Sequence, residues 1–410
     1  MRDGLDLSGI VSCYEEERGY PPYHPVMMTA LLIYAYSQGV YSSRRIARGC
    51  EERLDFMAVT ALNRPDFRTV SDFRKRHLGA LSGLFVQVLK LCAAAGLVKL
   101  GHVAIDGTKL KANASKHKAM SYGRMAEAEA RLAAEVAGWF AQASATDAAE
   151  DAAHGSERRG DELPAWAASK QERLSKIRAA RAALEAEAEA AAAGKAATDG
   201  PDDEGGPGPE AAALEVAKPE AKAQRNFTDP ESRIMKTKDG FIQGYNAQAA
   251  VDAASQVIVA HDLVTSGSDA GQLLPMVDAV EAMAGARPKE VSADAGYCSE
   301  ANLAGLDERD LRGYIATGRQ KHGTASATGS RAKRRGSRVA AMATRLKRGA
   351  RRSRYRLRKQ VVEPVFGQIK QARGFRQFLL RGFANVQAEW AIICAVHNLL
   401  KLAAARRPQA

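Results

Sequence analysis

The chain has 410 residues, 46% hydrophobic and 26% charged, the make-up of an ordinary globular protein, and its length suggests about three domains. That composition excludes a collagen-like, largely disordered or disulfide-scaffold chain. No uninterrupted apolar run reaches the ~18 residues of a membrane helix, and the N-terminal MRDGLDLSGI lacks the apolar stretch of a signal peptide. Cys13, Cys50, Cys92, Cys298 and Cys394 lie far apart and form no CxxC pair, so neither a zinc site nor a disulfide framework is indicated, and a reducing cytoplasm is the default compartment.

Net charge is +13, which suits a polyanionic partner. The excess is concentrated. No Asp or Glu interrupts Arg331–Lys359, and the Lys and Arg residues of that block alone account for the whole surplus. The block leads into an apolar-periodic helix, which favours a nucleic-acid phosphate contact over a solvated tail.

In chain order, residues 1–98 read as a helical N-terminal domain with a possible DNA-binding or dimerisation role. Apolar positions recur at helical spacing in PVMMTALLIYAYSQGV and LGALSGLFVQVLKLCAAAGL. Between them lie two short helices, the first basic, and a turn at Asn63-Arg64-Pro65-Asp66. Thr69 or Ser71 would then cap a helix at DFRKRH. The arginines here suit a helix-turn-helix or a packing module that turns them to water. HVAID predicts a strand ending at Asp106.

Residues 119–224 read as a helical insertion. They are Ala-, Glu-, Arg- and Leu-rich, with i,i+4 pairs such as Arg181/Glu185, and end in a Gly/Pro/Asp-rich linker predicted to be flexible. Residues 225–402, together with 99–118, form an α/β domain. GFIQGYNAQAAVD and SQVIVAHDLV predict a hairpin turning at Asp252–Ser255, and DAGQLLPMVDAVEAMA an amphipathic helix capped by Asp269. KEVSADAGYCS predicts a strand ending at Asp294, Ser299 opens a helix, and LRGYIATG is a short strand. Residues 319–350 read as a basic loop, and 351–402 as helical again.

Two strands thus end in aspartate, Asp106 and Asp294. Reactive groups gather at the strand ends of open α/β sheets. With Glu363 of QVVEPVFGQIK they make a set of hard oxygen donors suited to Mg²⁺ or Mn²⁺. Two such cations activate the attacking oxygen and stabilise the leaving one in phosphodiester chemistry. Each residue taken alone reads as a turn former or a surface carboxylate, and the case rests on the combination. Tyr355, Lys359 and Glu363 are spaced for one helical face, and Lys370 returns to it two turns on. Pro364 implies a restart or a kink in that helix.

DGTKLKANASKHKAMSYGRM, NFTDPESRIMKTKDGFIQGYNAQAAVD, ADAGYCSE and VEPVFGQIKQARGFRQFLLRG with HNLLKL resemble bacterial insertion-sequence transposases of the DDE class. The branch resembled has a helical N-terminal domain and a helical insertion after the first Asp. The resemblance implies an RNase H-like catalytic domain, with Asp106, Asp294 and Glu363 as catalytic and metal-binding triad. Its Tyr–Arg–Glu–Lys signature falls on Tyr355, Arg358 or Lys359, Glu363 and Lys370. It implies double-stranded DNA as partner (terminal inverted repeats and target DNA), work as a homo-oligomer without a membrane, and a nucleoid-associated bacterial setting. In such proteins MRDGLDLSGI reads as the middle of the N-terminal domain, and that leads to the rival expectation of a truncated, inactive DNA-binding protein. An RNA-processing nuclease on the same fold is the second rival.

Smaller candidates follow. Lys109, Lys111, Asn113, Lys116 and His117 suit phosphate contacts or a solvated loop. Asn246 and Gln248 alternate on a strand and either face the site or sit on a wet edge. Tyr297 and Cys298 read as shaping a turn, and His397 as a core histidine.

Overall fold

A computed structural model describes residues 4–14, 23–154, 165–198, 218–318, 328–329, 334–349 and 354–406. The predicted linker after the insertion lies mostly outside the described residues, as does part of the basic segment 319–353. The chain divides into two compact units, one of Met1–Asn113 with Met235–Ala410, the other of Ala114–Ile234.

In the first unit the helices α1 (Ser8–Val11), α2 (Pro25–Ser37), α3 (Ser43–Glu52), α4 (Leu54–Val59), α5 (Phe67–Arg76) and α6 (Leu78–Ala94) precede the sheet. α5 begins earlier than the sequence suggested. Asp66, not Thr69 or Ser71, is its cap, and its carboxylate accepts from the N–H groups of Arg68 and Thr69 at 2.7 and 2.9 Å.

The strands are β1 (Val103–Lys111), then β2 (Ala119–Ser121) and β3 (Gln224–Asn226), which pair with each other in the second unit. After them come β4 (Arg233–Thr237), β5 (Gly240–Asp252), β6 (Ile258–Val264), β7 (Glu290–Ala293) and β8 (Arg312–Ile315). The main sheet runs β4-β5-β1-β7-β8, with β6 also pairing β5. β1 is antiparallel to β5 and parallel to β7, and β7 is parallel to β8. β5 and β6 form the predicted hairpin, antiparallel from Asn246↔Val264 to Val251↔Ile258.

The second unit is built on α7 (Tyr122–His154) and α8 (Ala165–Thr198), which bury Met125, Leu132, Leu174, Ile177 and Leu184 in a core of their own. Glu129 pairs with Arg178 at 3.0 Å and with Arg181 at 2.5 Å, and Arg181 also reaches Glu185 at 3.2 Å.

The remaining helices of the first unit are α9 (Leu273–Ala284), α10 (Glu300–Glu308), α11 (Arg338–Gly349), α12 (Leu357–Gly367) and α13 (Phe383–Ala405). Ser299 caps α10, accepting from Asn302 N at 3.0 Å. Asp269 does not cap α9, whose N-cap is Gln272. α11 replaces part of the predicted basic loop, because Met342, Ala343 and Leu346 give it a buried stripe. α13 is long and apolar enough to cross a membrane, although no run of consecutive apolar residues signals it, and 61% of its apolar window is buried inside the protein. It packs on α6 and β6, with Trp390 fully buried.

Candidate active site

β1 carries Asp106 in its middle, not at its end. The ladder to β5 continues past it, through Gly107↔Gln248 to Lys111↔Gly244. Gly107 does not stop the strand. It clears room, because a Cβ there would strike Gln248 Nε2 and lie 2.7 Å from Asp269 Oδ1 and 2.8 Å from Asn246 Oδ1. Asp294 does end its strand. It caps the single turn Ala295–Tyr297, its Oδ1 accepting from Gly296 N at 2.8 Å. The parallel register Val103↔Val291 and Ala104↔Ser292 leads toward both residues, and Asp294, just past the end of β7, is near enough for its charge to act on Asp106.

Glu363 lies on α12, which packs on β1. The helix neither restarts nor breaks at Pro364. The proline has no N–H to give to the Gln360 carbonyl four residues back, and the Gln256 side chain takes that place, donating Nε2 at 2.9 Å. A π-helical turn, Gln368–Ala372, follows directly.

Arg358 joins these elements. Its Nη1 donates to Asp106 Oδ2 at 2.6 Å and its Nη2 to Glu363 Oε1 at 3.3 Å. Arg358 is buried, whereas Lys359 is exposed, so of the two candidates for the signature's cation Arg358 is the one beside the carboxylates. Its guanidinium lies 6.0 Å from the Tyr355 ring centroid, and Tyr355 is itself buried. Lys370, half-buried, donates Nζ to Thr108 Oγ1 at 3.0 Å, two residues beyond Asp106 on the same strand face.

Burial pushes the Asp106 carboxyl up to about 7, with Arg358 opposing the rise and the Asp294 charge adding to it. Burial also pushes the Lys370 ammonium below its usual range, aided by Arg376 and Lys238.

The other candidates are dispersed. Lys109 is half-buried on β1, in register with Asn246, and Lys111 is exposed at the end of that strand. Lys116 and His117 are exposed in the second unit. Asn113 donates to the Leu379 carbonyl at 2.7 Å. The basic block is only partly available to phosphate. Arg338 pairs with Asp307 at 3.1 Å and Arg354 with Glu290 at 3.1 Å, and Arg345 donates to Gly313 O at 3.2 Å.

Asn246 and Gln248 are not on an edge. β5 has β1 on one side and β6 on the other, and both side chains are buried. They donate to Asp269 Oδ1 at 2.7 and 2.8 Å. Sequence reasoning missed Asp269 as a neighbour of this site, and its signal was the pair of amides spaced by two on β5. His397 is a core residue, as expected. It lies 2.9 Å from the Gln256 carbonyl, and burial pushes its imidazole down to about 3.

A family model described as Transposase DDE domain matches residues 214–399, and one described as Transposase domain (DUF772) matches residues 3–76. The chain belongs to the DDE-class insertion-sequence transposases. No curated protein and no solved structure gives a significant match. The DDE match contains Asp269, Asp294, Arg358, Glu363 and Lys370, while Asp106 lies outside both matched ranges. Transposases of this class use divalent metal ions. Among the described residues no three His, Cys, Asp or Glu side chains are arranged to hold one as they stand. The donor chemistry suits such an ion all the same: two carboxylates already share one cation, the Arg358 guanidinium, and the charge of a third, Asp294, acts on the first.

Proposed function

We propose that this transposase cleaves the ends of its own insertion sequence and joins them to target DNA, with Asp106, Asp294 and Glu363 as the catalytic carboxylates. The observation that carries the reading is the reach of Arg358 to Asp106 and Glu363 at once, with Asp294 near enough for its charge to act on Asp106. The sheet supports it. The path β6-β5-β1-β7-β8, antiparallel as far as β1 and parallel beyond, suits an RNase H-like catalytic domain.

Asp106, Asp294 and Glu363 would hold two Mg²⁺ or Mn²⁺ ions, which when bound activate the attacking oxygen and stabilise the leaving one. The chain's own residues supply the rest. β1 and the capped turn that follows the neighbouring strand β7 fix two of the carboxylates. Arg358 and Lys370 present positive charge beside them, where a DNA strand carries its phosphates. Lys109, Lys111 and Lys359 add sequence-independent attraction. The attacking group is water for cleavage and the freed DNA 3′-OH for joining, each in line with its leaving oxygen. A homo-oligomer that cuts two ends together follows from this reading.

Purified chain, a divalent metal and duplex DNA carrying the element's matched inverted ends provide the test. Cleavage by the wild type, with Asp294→Asn binding the same DNA without cutting it, is the expected result. Full cleavage by Asp294→Asn would remove the site. Binding without cleavage by the wild type would favour a DNA-binding derivative, and preference for RNA would favour an RNA nuclease.

A further inference from the structure

A second polar network lies beside the carboxylates. Tyr297, the last residue of the turn that Asp294 caps, is fully buried, and its hydroxyl donates to Gln248 Oε1. The amide nitrogen of Gln248 donates to Asp269 Oδ1 at 2.8 Å, and the same oxygen accepts Asn246 Nδ2 at 2.7 Å. The main chain of the turn is tied to the same region. Asn302 Nδ2 donates to Tyr297 O at 2.7 Å and to Ala270 O at 2.5 Å, bridging the turn to the residue after Asp269.

The chemistry of an amide gives this chain a direction. Gln248 has one accepting and one donating end, and a carboxylate only accepts. With Asp269 claiming the nitrogen, the Gln248 oxygen must face Tyr297. An amide turned the other way would set oxygen against the Asp269 carboxylate and nitrogen against a hydroxyl that then has to reverse its proton. Gly107 and Gly296 let these groups close up. A Cβ at 107 would collide with the network, and one at 296 would lie 3.0 Å from Asp294 Oδ1 and 3.5 Å from Asp269 Oδ2.

We propose that Asp269 is a positioning residue of the transposase: by fixing the Gln248 amide it locks Tyr297, and through the turn 295–297 it sets the Asp294 carboxylate for metal. This inference rests on the assignment of Asp294 as a metal ligand. Groups bonded directly to a ligand are worth about 10–100-fold in metal affinity or activity; Asp269 acts through Gln248 and Tyr297, which places it at the lower end of that range.

The test measures Mn²⁺ binding to the DNA-free full chain by electron paramagnetic resonance, with DNA cleavage alongside. Asp269→Ala is expected to weaken Mn²⁺ binding about 10-fold and to lower kcat, with KM for DNA little changed. Tyr297→Phe keeps the buried ring but removes the hydroxyl, and should give a similar loss. The double variant should be no worse than either single one, because both cut the same chain. Asp269→Asn, which keeps an accepting oxygen, should recover part of the binding. Losses that multiply in the double variant, or wild-type Mn²⁺ binding in Asp269→Ala, would overturn the proposal. Asp294→Asn separates the two levels. If it binds Mn²⁺ like the wild type, the ligand assignment fails; if it loses binding while Asp269→Ala does not, only the positioning role fails.

Discussion

Arg358 grips Asp106 at 2.6 Å with one nitrogen and reaches Glu363 at 3.3 Å with another. A single planar fork therefore spans a strand residue and a helix residue far apart in the chain. An ammonium donates from a single nitrogen and lacks this planar two-nitrogen fork.

The first prediction follows from that fork. Arg358 is the chief influence opposing the rise of the Asp106 carboxyl to about 7. Replacing it by Gln removes the guanidinium from the half-buried Asp106, so in the metal-free chain its protonated form persists to higher pH and metal must displace that proton to bind. Where catalysis needs ionised Asp106, the acid limb of the pH–rate profile should move to higher pH, with a loss of about 10–100-fold near neutrality. Arg358→Lys should fall between the two. A profile with an unmoved acid limb would disprove the coupling.

The second concerns Glu389, an acid inside the apolar helix α13. It is fully buried, and its carboxylate accepts from Leu379 N and Leu380 N at 3.0 Å each. Burial pushes it up to about 7, against those two N–H groups and Arg74. Between the ordinary glutamate value near 4.5 and about 7, the folded state binds more protons than the unfolded one. Stability contributed here is complete below that window and is lost as pH rises through it. The stability difference between Glu389→Gln and wild type should shift in the variant's favour by about 3 kcal/mol from pH 4.5 to above 7. Urea titrations across that range provide the measurement, and parallel curves would count against it. His397, held neutral by burial, contributes the opposite slope as pH falls below its ordinary value, and it cancels in this comparison.

The third tests how α12 tolerates Pro364. Gln256→Ala removes the donor to the Gln360 carbonyl and should cost about 1 kcal/mol. The loss should shrink in a Pro364→Ala background, where the new backbone N–H serves that carbonyl. Gln256 sits at φ +60° and also accepts Lys401 Nζ at 2.7 Å, but both effects are common to the two backgrounds. Equal losses in the two would show that Gln256 is not the substitute partner.

Much of this was legible in the sequence because it is local. The hairpin at Asp252–Ser255, the Ser299 cap and the strand running into Asp294 each follow from a few adjacent residues. What was hidden depends on distant partners. Asp269 reads as a helix cap until Asn246 and Gln248 are seen to reach it from β5. Asp106 reads as a strand end because Gly107 follows, but the glycine marks a crowded neighbour and the ladder runs on. The arginines at 338, 345 and 354 read as free charge, and their carboxylate and carbonyl partners lie on other elements. At the α5 start, Asp66 was spent on a turn when it also caps the helix.

The helical unit enters the chain after Asn113, just past the end of β1, and returns at the start of β4, which neighbours β5. β5 pairs directly with β1, so the two splice points lie only about two strand spacings apart, or roughly 10 Å. A guest seated there asks little of its host, since a bridge of a few residues can close the same gap. Because the guest also keeps its own apolar interior around Met125 and Ile177, its size can change without rewriting the carboxylate-bearing strands.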